Sequence, residues 1–589
     1  MKRFLRSLGF TLLCVFSFTN CSFVDRLGGE SDVLIVPFGE GEQRSGHEAW
    51  GKQFMVVTQG PYSSMAGEQM FKKGGNVFDA AAAVTFTISV ERPQSTGIGG
   101  GGFAMVRRVA EEVEYHAVDF REKAPIASHR DMFLDDQGVA DPNLSRQGPL
   151  SVGVPGMVAG ILELHQKYGN LPLKDVLAPA TVLARNGFPV YPELRFALER
   201  SREKLEQFEE SVNIFFNDKG EPLEVGDILV QSDLAQTLQR IAEHGHAGFY
   251  SGETAKSIIR SIQDYGGILG QKDLDSYNVV WRSPVVGSFL GREVISMPPP
   301  SSGGAHIVQI LNTIENDSLG KFGIHDARSI HLIASAMQQA FADRAKYMGD
   351  SDFVDVPLEK IMSKTYAQEI RRNIPDRQAR SVEEVTPFEL KDKIVEPDHT
   401  THFVVADAEG NIVSSTQTIN GFFGSGMVAK GTGVVLNNEM DDFTAQVGAS
   451  NLFGAIGGEP NIVEPHKRPL SSMSPTIVIE NDRPLLALGS PSGTRILTCV
   501  ASTILNVLMY DLDLYTAVSA VRYHHQWRPD QIRVDRPGFS PETTRLLESW
   551  GHTVNVQDLG CRIQAVHYLN DGRIHGVSDI RGQGMSRGE

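Results

Sequence analysis

Apolar and polar positions divide the chain into short strands closed by turn residues and helices with recognisable caps. Met55-Val56-Val57-Thr58 predicts a strand. Ser63 to Lys73 predicts a helix ended by Gly74-Gly75, and Asn76 is placed to cap a second helix from Val77 to about Val90. Phe103 to Arg108 and Glu114 to Asp119 read as paired strands. Residues 160–290 look mainly helical, and 330–348 form a helix with small residues on one side. From 371 to 398 the apolar period is lost, Arg and Glu dominate, and Pro375, Pro387 and Pro397 interrupt, which predicts a linker.

A strand starts abruptly after that linker at Thr400-Thr401-His402-Phe403-Val404-Val405, turns at 407–411 and returns from Ile412 to Ile419. Two more hairpins are predicted, Thr476–Glu480 with Pro484–Leu488 and Ile563–Leu569 with Arg573–Val577. Helices from about Ile496 to Met509, Leu514 to Tyr523 and Pro541 to Trp550 lie between them. Antiparallel strands grouped with helices suggest helix layers packed on sheet. No internal repeat is visible.

Composition narrows the picture. Of 589 residues 41% are hydrophobic and 22% charged, enough to bury a large core and too apolar for a disordered chain. The net charge of −17 argues against a nucleic-acid partner, because phosphate binding needs a basic surface. Lys2, Arg3 and Arg6 precede the apolar run Leu8 to Phe18, so 1–20 reads as an export signal; its removal moves the balance to −20. Residues 21–50 read as a tether, with Cys21 either a lipid-anchored first residue or the neighbour of a plain cleavage site. The product is expected to be exported: periplasmic, or a membrane-anchored lipoprotein, if bacterial. Cys499 and Cys561 form either one disulfide or two separate buried thiols. No Cys/His spacing suits a metal, and no cofactor is expected.

Gly97-Ile98-Gly99-Gly100-Gly101-Gly102 satisfies G-x-G-x-x-G, but a strand follows it where a dinucleotide site needs a helix. The junction at His399-Thr400 is more informative. A threonine hydroxyl is a poor nucleophile without an adjacent base, and cutting the chain before it frees an α-amine of pKa about 7.7–8.0 to act as one. On spacing alone, Thr400 reads rather as a strand-starting threonine, chosen for its β propensity.

Six segments, in order, change that balance: Gly97–Phe103 (GIGGGGF), Asp119–Pro125 (DFREKAP), Thr400–His402 (TTH), Leu436–Phe443 (LNNEMDDF), Arg468–Pro475 (RPLSSMSP) and Gly489–Arg495 (GSPSGTR). Together they resemble the γ-glutamyltransferase (glutathione hydrolase) family of N-terminal-nucleophile hydrolases, from about Met55 to the C-terminus. The resemblance implies an α+β fold, a four-layer α/β/β/α sandwich with largely antiparallel sheets. It also implies self-cleavage between His399 and Thr400 into a large chain (51–399 after the tether) and a small chain (400–589), which form a heterodimer. Thr400 would be the nucleophile, Thr418 would orient it, and the backbone N–H groups of Ser492 and Gly493 would hold the oxyanion. Arg121, Ser471 and Ser472 would receive the donor's α-carboxylate, and Asn420, Glu439 and Asp442 its ammonium. The donor would be glutathione or another γ-glutamyl compound, and the acceptor water, an amino acid or a dipeptide. Gln446 to Gly458 resembles the family's lid, with Phe453 where some relatives carry tyrosine. A cephalosporin acylase or a poly-γ-glutamate transpeptidase on the same scaffold is the alternative, and an uncut periplasmic binder a more distant one.

Overall fold

The computed structural model describes residues 46–385 and 400–589. The expected export signal, Cys21, most of the tether and His399 lie outside the described residues.

Two seven-stranded sheets, antiparallel throughout, form the centre. One runs, edge to edge, Met585–Gly588, Phe54–Thr58, Thr401–Asp407, Ile412–Thr418, Gly101–Val109, Val113–Phe120 and Val280–Arg282. The other runs Glu48–Gly51, Ile574–Ser578, Gln564–Tyr568, Arg483–Gly489, Thr476–Glu480, Arg292–Ser296 and Val285–Phe289. Strands buried on both faces read as nearly continuous apolar runs, and their period-two alternation sends successive side chains to opposite layers. Phe403 and Val405 join a core with helices Pro61–Lys72, Val77–Glu91, Met157–Tyr168 and Leu173–Asn186. Val404 and Ala406 join the other, which takes in the second sheet and helices Gly303–Ile314, Ala327–Tyr347 and Arg495–Leu508. The layers are therefore helix, sheet, sheet, helix, as expected. Both sheets mix strands from before and after position 400, so neither part has a core of its own.

Most predicted elements are present. Asn76 caps Val77–Glu91 by accepting from the Phe78 and Asp79 amides, while Asp79 accepts from the Asn76 amide, a reciprocal box. The hairpin strands Thr476–Glu480 and Arg483–Gly489 pair across Asn481-Asp482, both with positive φ. Three readings change. Glu48–Gly51, placed mostly in the tether, is an edge strand paired with Ile574–Ser578. Residues 371–385, read as the start of a linker, are packed: Val382 and Val385 are buried, Arg371 pairs with Asp317, and Arg380 donates to the Ser335 carbonyl. The mainly helical 160–290 ends in strands Val280–Arg282 and Val285–Phe289.

Cys499 and Cys561 are joined in a disulfide, both fully buried. Of the two alternatives the structure has the bonded one. It fixes the helix that follows the 489–495 motif to the segment that enters strand Gln564–Tyr568.

Candidate active site

Thr400 precedes strand Thr401–Asp407 by one residue. Thr401 pairs with Gln417, so the next rung sets Thr400 beside Thr418, the last residue of the returning strand. Both are buried and line one cleft with about 310 Å³ of empty space. The other two residues of the TTH motif do structural work. Thr401 Oγ1 donates to Gln59 Oε1 at 2.8 Å, and His402 Nδ1 lies 2.8 Å from Thr416 Oγ1. Burial pushes the His402 imidazole down to about 3, so it is neutral, and its two ring nitrogens lie against Thr416 Oγ1 and Ser414 Oγ.

The glycine run has a packing cause. A Cβ at Gly100 would stand 2.0 Å from the Thr418 carbonyl oxygen, and one at Gly102 2.4 Å from the Thr416 carbonyl oxygen. Only glycine lets this segment lie so close to the strand that carries Thr418. Asn437 ties the run to the LNNEMDDF segment by donating from Nδ2 to the Gly99 and Gly153 carbonyls at 2.8 and 2.9 Å. After Thr418 the chain bends at Asn420, φ 71°, whose N–H donates to Thr418 Oγ1 at 2.8 Å. The Asn420 amide then donates to the Asn438 carbonyl at 2.9 Å.

Charge is concentrated at one end of the cleft. Arg121 donates to Glu439, to Asp442 Oδ2 at 2.5 Å and to the Pro469 carbonyl at 3.2 Å. Burial opposes its charge, but Glu439 and Asp442 outweigh it and hold the guanidinium protonated. Burial also raises the Glu439 carboxyl well above the usual range, and the neighbouring Glu122 and Asp442 add to the shift. The residues assigned to the donor's two poles thus already touch one another, and Arg121 and the acids form a single cluster.

Ser471 and Ser472 line the same cleft. They are held by the segment 298–304: the Ser302 N–H and Oγ each donate to the Ser471 carbonyl at 2.9 Å, and a Cβ at Gly303 would meet Ser474 Oγ at 2.0 Å. Ser492 and Gly493 are consecutive residues with positive φ, 110° and 52°. Gly493 lines the cleft; Ser492 lies behind it, its Oγ donating to the Leu559 carbonyl at 2.6 Å. A Cβ at Gly493 would strike the Phe453 ring at 2.3 Å, so Phe453 packs directly on this loop.

Nine of the ten catalytic and donor-binding residues picked from the sequence therefore meet in one cleft, with Ser492 immediately behind it. Reasoning from the sequence missed Arg344 and Asn451. Asn451 donates to Asp442 Oδ1 at 2.8 Å and accepts from the Phe453 and Ala455 amides, coupling the lid-like segment to the charged end. Its position inside that segment was the available signal. Arg344 is the buried one of two arginines on helix Ala327–Tyr347, Arg328 being exposed, and nothing in the sequence distinguishes them.

A family profile described as Gamma-glutamyltranspeptidase matches residues 63–588. The chain is 44% identical over 536 residues to the glutathione hydrolase proenzyme of Escherichia coli (strain K12), covering 91% of each. Its fold is similar to the crystal structure of cephalosporin acylase from Bacillus halodurans, with TM-score 0.80, 27% identity and coverage of 95% of this chain and 99% of that one. Helicobacter pylori γ-glutamyltranspeptidase is 42% identical, with TM-score 0.54 over 57% of this chain and 96% of its own.

Proposed function

This chain belongs to the γ-glutamyltranspeptidase family, and from that membership we infer how its residues divide the work. It is an enzyme, a glutathione hydrolase and γ-glutamyltransferase made as a proenzyme. We propose that Thr400 is both the site of self-cleavage and the nucleophile. In maturation Thr400 Oγ attacks the His399 carbonyl carbon, the His399–Thr400 C–N bond breaks to give an ester, and water releases the large chain. The new α-amine is then the only base the hydroxyl needs.

In turnover Thr400 Oγ attacks the donor's γ-carbonyl carbon and passes its proton to the α-amine. The oxyanion develops towards the backbone N–H groups of Ser492 and Gly493, whose positive φ values turn this loop sharply beside the nucleophile. Collapse breaks the amide C–N bond, the leaving amine takes the proton, and a γ-glutamyl-threonine ester remains. Water or the amine of an amino acid or dipeptide then attacks the ester. Thr418, accepting from Asn420 and set beside Thr400 by the strand register, orients the nucleophile.

The observation that supports this reading best is the charge layout. A buried guanidinium, the buried Glu439 carboxyl and the partly buried Asp442 carboxyl line a cleft whose other residues include the paired threonines. A γ-glutamyl group has that polarity, a free ammonium and a free carboxylate a few bonds from the carbonyl, and a buried site must pair both. A polymer interior, whose α-amines are all in amide bonds, offers no such free pair. The test is turnover of a γ-glutamyl anilide and of glutathione by the purified two-chain protein. Turnover of an N-acylated or cephalosporin donor alone would replace this reading.

The positive start and apolar run Leu8 to Phe18 support export. Among the described residues no helix is long and apolar enough to cross a membrane.

Two expected results concern parts around the nucleophile. Gly100→Ala pushes a methyl into the Thr418 carbonyl, and a shift of roughly 1 Å there is expected to lower kcat/KM about 100-fold. Gly270→Ala, whose Cβ meets nothing closer than 3.8 Å, is the control and is expected to keep full activity. Equal values for the two variants would remove the packing argument. Phe453→Tyr adds a hydroxyl to the ring lying on Gly493 and is expected to change the ratio of transfer to hydrolysis. An unchanged ratio, measured with a dipeptide acceptor, would show that the lid's ring does not gate water.

A further inference from the structure

Gln59 lies between strand Phe54–Thr58 and helix Pro61–Lys72, buried and outside all six motif segments. Strand Thr401–Asp407 runs further than this neighbour. Its last backbone partner on that side pairs Phe403 with Thr58, because the chain then turns into the helix. Thr401 and His402 therefore extend beyond the strand at their side. The Gln59 side chain takes its place: Oε1 accepts from the His402 N–H at 2.9 Å and from Thr401 Oγ1 at 2.8 Å. A backbone N–H can only donate, so the atom facing it is the amide's carbonyl oxygen. On the other side Thr401 pairs with Gln417. Gln59 is itself anchored. Its backbone carbonyl accepts from Arg92 Nη1 at 3.3 Å, and the buried Arg92 forks onto Glu193 at 2.7 and 3.2 Å.

A chain end frays unless it is tied down. A cut before Thr400 makes that residue a chain end, yet its hydroxyl must hold a geometry in which about 1 Å decides the rate. Strand pairing secures the adjacent Thr401 on the Gln417 side alone. The Gln59 amide secures the other side, and it belongs to the piece of chain before the cut.

We propose that Gln59 is a positioning residue for the nucleophile: through Thr401 and His402 it holds the new chain start, Thr400, in its attack geometry. This rests on the Thr400 reading above and adds to it the group that steadies the nucleophile from across the cut. Gln59 does not line the Thr400 cleft, so it acts on the placement of the hydroxyl and not on donor binding.

The experiment measures kcat for a γ-glutamyl anilide and the inhibition constant of L-glutamate in wild type, Gln59→Met and Gln59→Glu. Methionine fills similar space, but its thioether is a weak acceptor and leaves two buried donors unpaired. Glutamate keeps an oxygen acceptor in the same place. Gln59→Met is expected to lose about 10- to 30-fold in kcat, while L-glutamate binding stays within about twofold. Gln59→Glu is expected to recover kcat to within about threefold of wild type. Wild-type kcat in Gln59→Met, or kcat and L-glutamate binding that weaken together, overturns the proposal. So does a Gln59→Glu protein no better than Gln59→Met. If Gln59→Met does not fold, Gln59→Asn, whose shorter amide falls short of both donors, is read in the same way. If it folds but stays uncut, intact mass replaces kcat: cleavage restored in Gln59→Glu supports the proposal, and cleavage lost in both overturns it. Wild-type protein that does not turn over the anilide would fault the γ-glutamyl reading itself, a separate outcome from any effect of Gln59.

Discussion

Thr400→Ala is expected to remain one uncut chain and to lose γ-glutamyl anilide hydrolysis by at least about 10⁴-fold. Alanine has no hydroxyl to attack the preceding carbonyl, so the acyl shift cannot begin. Without the cut there is no α-amine, so the base is lost together with the nucleophile. The two losses act on one step and do not add, as with other catalytic units. Intact mass under denaturing conditions reads the first loss, with wild type giving a small chain that begins at Thr400. Anilide release reads the second. Thr400→Ser separates them: it retains a hydroxyl and is expected to mature slowly and keep part of the activity. A Thr400→Ala protein that still divides at this bond would mean that some other group cuts it.

Arg121→Gln is expected to lower kcat/KM about 10³-fold and to destabilise the fold by about 3–5 kcal/mol, the usual cost of leaving buried partners without their counter-charge. The acids left behind are Glu122, Glu439 and Asp442, within one buried cluster. Burial raises Glu122 to about 8, against the pull of Arg121, and raises Glu439 and Asp442 as well. A carboxyl whose folded pKa is raised binds its proton more tightly when folded. Its contribution is fully present below the unfolded pKa of 4.5 and fades as pH rises towards 8 for Glu122. Removing Arg121 raises these folded values further and carries the loss to higher pH. The thermal midpoint of Arg121→Gln should therefore trail wild type more at pH 8.5 than at pH 6. A deficit that is equal at both pH values would show that the cluster is not protonated as described.

Much of the cleft was legible because its chemistry lies in short contiguous segments. Arg121, Glu439, Asp442 and the Ser471-Ser472 pair each sit inside a distinctive string, and the TTH threonine starts a strand after a charged break. What the strings could not tell was who touches whom. Guanidinium suits carboxylate, which points Arg121 at the donor's carboxylate, yet 318 residues further on Glu439 already occupies one of its arms. Arg344 stayed hidden because its helix is recognised by its small residues, and no local pattern says which turn faces a cleft. Glu48–Gly51 blends into the tether because its partner, Ile574–Ser578, lies at the other end of the chain. Residues 371–385 look like a linker because two buried valines and a few ion pairs leave no apolar period, although tertiary contacts suffice to hold them.

In the sheet that carries Thr400, Phe54–Thr58 lies between Thr401–Asp407 and Met585–Gly588. A strand from before Thr400 is thus clasped on both edges by strands from the two ends of segment 400–589. Once cut at Thr400 as proposed, the two pieces would stay woven together and would not part like two globules that merely touch. Dilution alone should not separate them; subunit exchange between molecules would require unravelling the central sheet, and should run at the rate of global unfolding.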